Sequence, residues 1–155
     1  MAIEIPTELS AALAARRTAL LERARGRVLD IGDSGLAGAE GHYDTIYSFV
    51  QTPGEPDLDA YAARIRELLA PDGMAYFLEP TIRTGPLGRA LGFGGKMMRP
   101  MTGLYLDRDV PQAVRRAGLF ITDLHRFEIA SVAAPLRPFV EAWARFPTPS
   151  RSEPS

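Results

Sequence analysis

Apolar residues recur along the chain with two periods, one typical of amphipathic helices and one typical of buried strands. The helical period predicts three helices, which begin after Thr7, after Asp57 and after Asp107 or Asp109, since Thr and Asp are favoured N-caps. Short apolar runs predict four strands, at residues 27–31, 45–50, 74–78 and 119–129. Because helices and strands alternate, the sequence predicts an α/β domain with a largely parallel sheet and helices on its faces.

Three other segments are less regular. Residues 138–146 carry apolar side chains at both helical and alternating positions, which leaves helix and strand open. Residues 80–106 are rich in Gly, Pro, Met and Arg and are expected to be irregular. The tail at 147–155 is too polar and too rich in proline to fold. We therefore predict one domain at residues 1–146, followed by a disordered tail.

The composition of the chain argues against several classes of function. With 155 residues, 46% hydrophobic and 24% charged, the chain is ordinary for a globular domain with its own core. The net charge of −1 gives no indication of a nucleic-acid partner. The absence of cysteine excludes a disulfide framework and a thiol nucleophile. Neither a signal peptide nor an integral membrane segment is predicted, and a cytoplasmic location is expected.

A glycine-rich turn follows the first predicted strand. The strand RVLDIG, residues 27–32, ends in Asp-Ile-Gly, and further glycines follow at Gly35 and Gly38. Glycine has no Cβ, so such a backbone can approach a nucleotide closely. This segment resembles the first motif of class I S-adenosylmethionine (SAM)-dependent methyltransferases, most of all the small-molecule branch called methyltransferase type 11, which includes quinone-biosynthesis enzymes.

The resemblance extends over most of the chain. The segment YDTIYSFV…MAYFLEP, residues 43–80, resembles the family's fourth strand, the helix after it and the fifth strand. Residues 105–127 and 135–145 resemble the family's C-terminal helix and final hairpin, which favours a strand for residues 138–146. In the family, two further strands with their helices lie between the first motif and the fourth strand, whereas only a short Ala/Gly-rich connection lies there in this chain.

The resemblance therefore implies a truncated Rossmann-like methyltransferase sheet that lacks the family's second and third strands. Its first three strands would be parallel and adjacent in chain order, and residues 119–129 and 138–146 would form an antiparallel hairpin beyond them. Strand 27–31 would lie at an edge of the sheet. Because an open edge templates pairing with another chain, we expect a homodimer or a complex with a paralogous methyltransferase.

The resemblance also implies where a cofactor would bind. Asp30, Gly32 and Gly35 correspond to the methionine and ribose end of the SAM site, and Ser48, in the segment 48–51, lies beside the methyl group. The acidic residue that holds the ribose hydroxyls in the family, and the residue pair around the adenine, have no counterpart in this chain. Losing such polar contacts costs about 1–3 kcal/mol each, so SAM is expected to bind weakly, and no metal is expected.

Glu79 and His42 are weak candidates for a catalytic role. Glu79 lies at the carboxyl end of strand 74–78, where α/β sheets carry functional groups. His42 could approach the cofactor crevice from the short loop before strand 45–50, although a solvated loop histidine is the commoner alternative. Three methionines lie where the relatives place a cap over the methyl acceptor, which suits either an apolar small molecule or the filling of a core: Met97, Met98 and Met101.

These observations leave three hypotheses for the function. The chain is a degenerate methyltransferase-fold protein that acts as a binding or partner subunit, or an active methyltransferase whose site is completed by oligomerisation. The third hypothesis is a remnant of a gene deletion without a role. Fold alone does not choose between them, because one fold supports many functions, and the sequence does not identify a methyl acceptor.

Overall fold

The structure, a computed structural model, describes residues 7–82, 105, 108–132 and 137–148. Its helices are α1 (Thr7–Leu21), α2 (Ile31–Ser34), α3 (Leu58–Leu68) and α4 (Val110–Arg116), with a 3-10 turn at Thr52–Gly54. Its strands are β1 (Val28–Asp30), β2 (Tyr43–Phe49), β3 (Leu69–Pro80), β4 (Phe120–Glu128) and β5 (Pro138–Arg145). The predicted alternation of helices and strands, and with it the α/β class, is confirmed.

The strands of the described residues form one sheet in the order β1-β2-β3-β5-β4. Strands β1, β2 and β3 are parallel, whereas β5 is antiparallel to both β3 and β4. The predicted sheet is therefore confirmed, with adjacent parallel strands in chain order and an antiparallel C-terminal hairpin beyond them. The strand that the resemblance favoured for residues 138–146, whose apolar pattern alone left helix and strand open, is confirmed as β5, which lies between two other strands.

Helices cover the sheet on both faces. Helices α3 and α4 pack on one face, where Ile65 and Val114 share a core with Ile46 and Phe77 of the sheet. Helix α1 packs on the other face, where its three buried leucines contact a set of aromatic rings that includes Tyr47. The three inner strands are thus buried on both faces, which explains why their sequences are almost continuously apolar.

Arginine side chains of the α1 segment complete the cover of the aromatic face. The guanidinium of Arg16 lies 3.8 Å from the ring centre of Phe127, and that of Arg23 lies 4.0 Å from the ring of Trp143. Such stacking stabilises a fold by about 0.5–1 kcal/mol per pair and leaves the charged end in water. Basic residues of α1 therefore pack on the sheet beside its buried leucines.

The strand β3 carries a bulge near its start. Residues 70–73 belong to β3, but the pairing with β2 moves from Leu69 opposite Tyr43 directly to Met74 opposite Thr45. The intervening residues therefore bulge out of the ladder. A Cβ on Gly73 would lie 2.7 Å from the Leu69 side chain and 3.0 Å from the Tyr43 carbonyl oxygen, so the bulge requires glycine there.

Several predictions fall on other parts of the chain. The methionine-rich segment with Met97, Met98 and Met101 lies outside the described residues, as do residues 149–155. The expected acceptor cap, the single domain at 1–146 and the disordered tail stay predictions. Among the described helices, none is both long enough and apolar enough to cross a membrane.

Candidate functional site

Two adjoining cavities lie at the carboxyl ends of β1 and β2, the edge at which open α/β sheets bind ligands. The smaller, of about 240 Å³, lies between the residues of α2 and the side chains of Gln51 and Glu55. The larger, of about 540 Å³, extends from the glycine turn to Tyr61 and Arg64 of α3. Because the two share Ser34, Gly35, Leu36 and Glu55, we treat them as one cleft, the glycine-turn cleft.

The glycine turn is held by Asp30 and by the left-handed backbone of Gly35. Asp30 is the N-cap of α2, and its Oδ1 accepts a hydrogen bond from the backbone N–H of Gly32 at 3.1 Å. Gly35 ends α2 with a φ of 72°, a conformation that favours glycine. A Cβ on Gly32 would lie 3.1 Å from Gln51 Nε2, so the turn packs closely against the Gln51 side chain, which a larger residue at position 32 would push aside.

Asp30 combines a structural role with a position beside the cleft. Burial raises the pKa of its carboxyl group, and the nearby Asp33 carboxylate raises it further. The guanidinium of Arg17 opposes this shift from 3.8 Å away. Asp30 therefore acts as a helix cap, and a contact of its carboxylate with a cofactor stays a prediction.

A buried carboxyl group lies beneath the cleft. Glu79, on β3, has no exposed surface. Its Oε1 accepts hydrogen bonds from Ser48 Oγ at 2.6 Å and from the backbone N–H of Gln51 at 3.0 Å. Its Oε2 accepts from the backbone N–H of Thr52 at 3.2 Å and from Thr52 Oγ1 at 2.9 Å. Burial raises the pKa of Glu79 to about 7, although these four hydrogen bonds act in the opposite direction.

Ser48 connects this carboxyl group to the wall of the cleft. Its hydroxyl lies 2.7 Å from the hydroxyl of Tyr61, whose side chain lines the larger cavity. Because the single proton of Ser48 is donated to Glu79, the Tyr61 hydroxyl is the donor in this pair. Burial raises the pKa of Tyr61 well above its usual value, and the Glu79 carboxylate raises it further, so Tyr61 remains a neutral phenol.

The structure separates the predicted site residues into three groups, of which the third, His42 alone, lies away from the cleft. Gly32 and Gly35 line the cleft, and Asp30 adjoins it through its bond to Gly32. Ser48 and Glu79 lie beneath the cleft and are bonded to each other, with 1% and 0% of their surfaces exposed. Neither of these two side chains offers a surface that a ligand could touch in this conformation.

His42 lies at the other end of the sheet. It is exposed and directly precedes β2, whereas the cleft lies beyond the end of that strand. With a rise of about 3.3 Å per residue, the length of β2 keeps His42 about 20 Å from the cleft. The expectation that His42 could approach the cofactor crevice is corrected, because a parallel connection must return to the amino end of the sheet before β2 begins.

Several residues that line the cleft were not predicted as site residues, among them Tyr61, Glu55 and Arg64. Tyr61 carries an apolar signal as part of the buried face of α3, and Glu55 and Arg64 carry no signal beyond their place after a predicted strand. Arg64 donates from Nη2 to the Ala39 carbonyl oxygen at 2.7 Å and forms an ion pair with Glu67. In the ranges that the structure describes, no group of three or more His, Asp or Glu side chains could hold a metal ion.

Solved structures with the same fold include SAM-dependent enzymes. A SAM-dependent methyltransferase from Mesorhizobium loti is similar with a TM-score of 0.58 and 14% identity, over 88% of this chain and 98% of that chain. The [4+2]-cyclase SpnF is similar with a TM-score of 0.54 and 16% identity, over 88% of this chain and 61% of its own. The 1,6-didemethyltoxoflavin-N1-methyltransferase of Burkholderia thailandensis, solved with S-adenosylhomocysteine, is similar with a TM-score of 0.52 and 17% identity, over 90% of this chain and 76% of its own.

The chain spans only part of the length of some solved structures that it matches, namely 61% of SpnF and 33% of a further protein, TnmH. No family model matches the chain, and no curated protein matches it. The likeness therefore rests on three-dimensional structure, and at identities of 14–17% it concerns the fold. Together with the strand order and the cleft at the carboxyl ends of β1 and β2, it shows that this chain has the fold of class I SAM-dependent methyltransferases.

Proposed function

We propose that this protein is a truncated member of the methyltransferase type 11 branch that acts as a binding or partner subunit and whose own SAM site is incomplete. The observation that carries the proposal is the position of β1. Within the described residues β1 is an edge strand, so no strand lies beyond it to supply side chains to the cleft. The glycine turn is present, but the described residues offer no counterpart of the part of a SAM site that holds the ribose and the adenine.

The cleft fits one end of SAM better than the other. The backbone of Gly32 and Gly35 leaves room for the methionine part, and Gln51 and Glu55 face the same space. The carboxylates of Asp33 and Glu55 have the charge that suits an ammonium or sulfonium group. SAM, when bound, supplies an activated methyl group, and these residues would bind and orient its amino-acid end. Among the described residues, no further strand lies next to β1 to supply an acidic side chain for the ribose or contacts for the adenine.

Calorimetric titration of the protein with SAM is expected to show no saturation at low micromolar concentration. With the ribose and adenine contacts missing, we expect a Kd weaker than about 100 μM. A low-micromolar Kd for the monomer would contradict the incomplete site. The titration distinguishes a binding subunit with an incomplete SAM site from a protein with a complete SAM site, and it requires no knowledge of the methyl acceptor.

Variants of the glycine turn show whether any weak binding occurs in the cleft. In titrations followed by NMR, Asp30→Ala and Gly32→Val are expected to abolish the binding, since valine at position 32 displaces Gln51. Thr122→Val is the control, because Thr122 is exposed on β4, at the edge of the sheet opposite β1 and away from the cleft. Binding that survives in the Gly32→Val variant would place the ligand elsewhere.

The edge of β1 is the surface that we propose for a partner. Val28 is 43% exposed, whereas Leu29 and Ile31 are buried in the core. The Arg27 carbonyl accepts from Thr45 N–H, and backbone groups alternate in direction along a strand, so the polar groups of Val28 point away from β2. A second copy of the chain or a paralogous methyltransferase could pair with this edge.

Light scattering on the pure protein tests the homodimer. At tens of micromolar we expect a dimer, and Val28→Lys is expected to convert it to a monomer by placing a charge on the edge. Phe120→Lys is the control, because Phe120 is 51% exposed and lies on β4 at the opposite edge. A monomer that neither substitution alters would exclude the homodimer and leave a paralogous chain as the partner.

One observation favours a second candidate function, an active methyltransferase whose site is completed by oligomerisation. The match to the Mesorhizobium loti SAM-dependent methyltransferase spans 98% of that chain. Almost the whole length of a protein described as a SAM-dependent methyltransferase is therefore matched by the fold of this chain. Methyl transfer from labelled SAM per mole of protein that falls when the protein is diluted until light scattering shows a monomer would support this candidate, and activity per mole that stays constant over that dilution would argue for a complete site in each monomer.

A further inference from the structure

The segment between β2 and α3, residues 50–57, begins with a strained residue. Val50 has a φ of 52°, in the left-handed region that β-branched residues rarely adopt. Its side chain is buried, and its N–H donates to the Leu78 carbonyl oxygen at 2.9 Å. A strained conformation of this kind persists only where the surroundings hold it in place. The next two residues, Gln51 and Thr52, both donate their backbone N–H groups to Glu79.

We infer that Glu79 is a positioning residue, which from beneath the glycine-turn cleft holds residues 50–52 in the conformation that brings Gln51 into the cleft wall. Glu79 does not line the cleft, whereas Gln51 does. Gln51 in turn lies against Gly32, so the Gln51 side chain is the contact that connects Glu79 to the glycine turn. The inference rests on the proposed function in so far as the cleft is taken to be a ligand site.

The hydrogen-bond pattern requires a carboxyl group at position 79. Each oxygen of Glu79 accepts one backbone N–H and one hydroxyl. The amide nitrogen of a glutamine cannot accept a hydrogen bond, so glutamine in either orientation leaves the N–H of Gln51 or Thr52 unpaired. A protonated carboxyl keeps lone pairs on both oxygens and can direct its proton to Thr52 Oγ1. Both charge states of Glu79 therefore hold the segment, and glutamine does not.

The far half of the segment is held by other residues. Arg108 Nη2 donates to the carbonyl oxygens of Glu55 and Pro56, at 3.1 and 2.9 Å. The backbone N–H of Tyr105 donates to the Pro53 carbonyl oxygen at 2.7 Å. Because these contacts do not involve Glu79, a change at Glu79 is expected to act on residues 50–52 first. This locality distinguishes positioning from a general contribution to stability.

Amide hydrogen exchange, read residue by residue by NMR on the ligand-free protein, tests the inference. In Glu79→Gln, exchange at whichever of Gln51 and Thr52 loses its acceptor is expected to be at least about tenfold faster relative to core amides such as Phe77. Glu141→Gln is the matched control, because Glu141 is also buried but bonds to Arg16 and Trp143 on the other face of the sheet. An equal acceleration at all amides, or none at Gln51 and Thr52, overturns the inference.

Two further measurements keep the test decisive. Thr52→Val removes only the hydrogen bond from the Thr52 hydroxyl to Glu79 Oε2, and it serves as the test if Glu79→Gln does not fold. In Thr52→Val, amide exchange at position 52 is expected to be faster relative to core amides. The absence of this local acceleration overturns the inference. Titration with S-adenosylhomocysteine separates the two proposals. If the wild-type protein shows no shifts at Gly32 and Gly35, the cleft is not a SAM site, while the exchange data still decide the role of Glu79. If it binds, Glu79→Gln is expected to bind at least about tenfold more weakly, and equal affinity overturns the inference.

Discussion

The free energy of unfolding of the wild-type protein, relative to that of Glu79→Gln, is expected to fall by about 3 kcal/mol as the pH rises from about 4 to about 8. The pKa of Glu79 is raised from 4.5 to about 7 in the folded state, mainly because its carboxyl group is buried. Between these two values the folded state therefore binds more protons than the unfolded state. The stabilisation is complete below the unfolded pKa and is lost as the pH rises through the folded pKa.

Urea denaturation of the two proteins at a series of pH values measures this difference. Glutamine carries no titratable proton, so the difference between the curves isolates Glu79 from the other carboxyl groups. The experiment is independent of any ligand and of the oligomeric state, provided that both proteins are measured at one concentration. A difference that does not change with pH would contradict the raised pKa, and one that grows with pH would indicate that the hydrogen bonds outweigh the burial of the carboxyl group.

Replacement of Phe77 by alanine is expected to lower the free energy of unfolding by about 3–5 kcal/mol. Phe77 is 1% exposed and lies on β3, which pairs with β2 on one side and with β5 on the other. Its ring belongs to the core between the sheet and the helices α3 and α4, so its loss leaves a cavity that the two layers cannot close. Losses of this size are comparable with the whole stability of a small domain.

Phe120→Ala is the control for this prediction. Phe120 lies on the edge strand β4 and is 51% exposed, so the same chemical change is expected to alter the stability by about 0.5 kcal/mol or less. Urea denaturation of the two variants at one pH compares them directly. A loss below about 1 kcal/mol for Phe77→Ala would contradict the placement of β3 in the centre of the sheet.

The elements of this fold could be read from the sequence because their signals are local. Asp57 caps its helix through its own side chain as predicted, and of the two predicted alternatives, Asp107 and Asp109, Asp109 caps α4. The strand order followed from the resemblance of consecutive segments, and the structure confirms it. The segment of β5 is the exception, because its apolar pattern suited two kinds of element and only its neighbours in the sheet made it a strand.

The sequence by itself determined where α1, α3 and α4 and the strands β1 to β4 lie, and the glycine turn at the end of β1, since caps, apolar periods and glycines act within a few residues of themselves. Only the tertiary structure decided which of the candidate residues meet. Glu79 is fully buried because its partners, Ser48 and Thr52, come from a neighbouring strand end that lies 31 and 27 residues away in the chain. His42 is much closer in sequence to the glycine turn, but it lies at the opposite end of the sheet. The direction of the parallel strands determines which side chains come together, and separation along the chain does not.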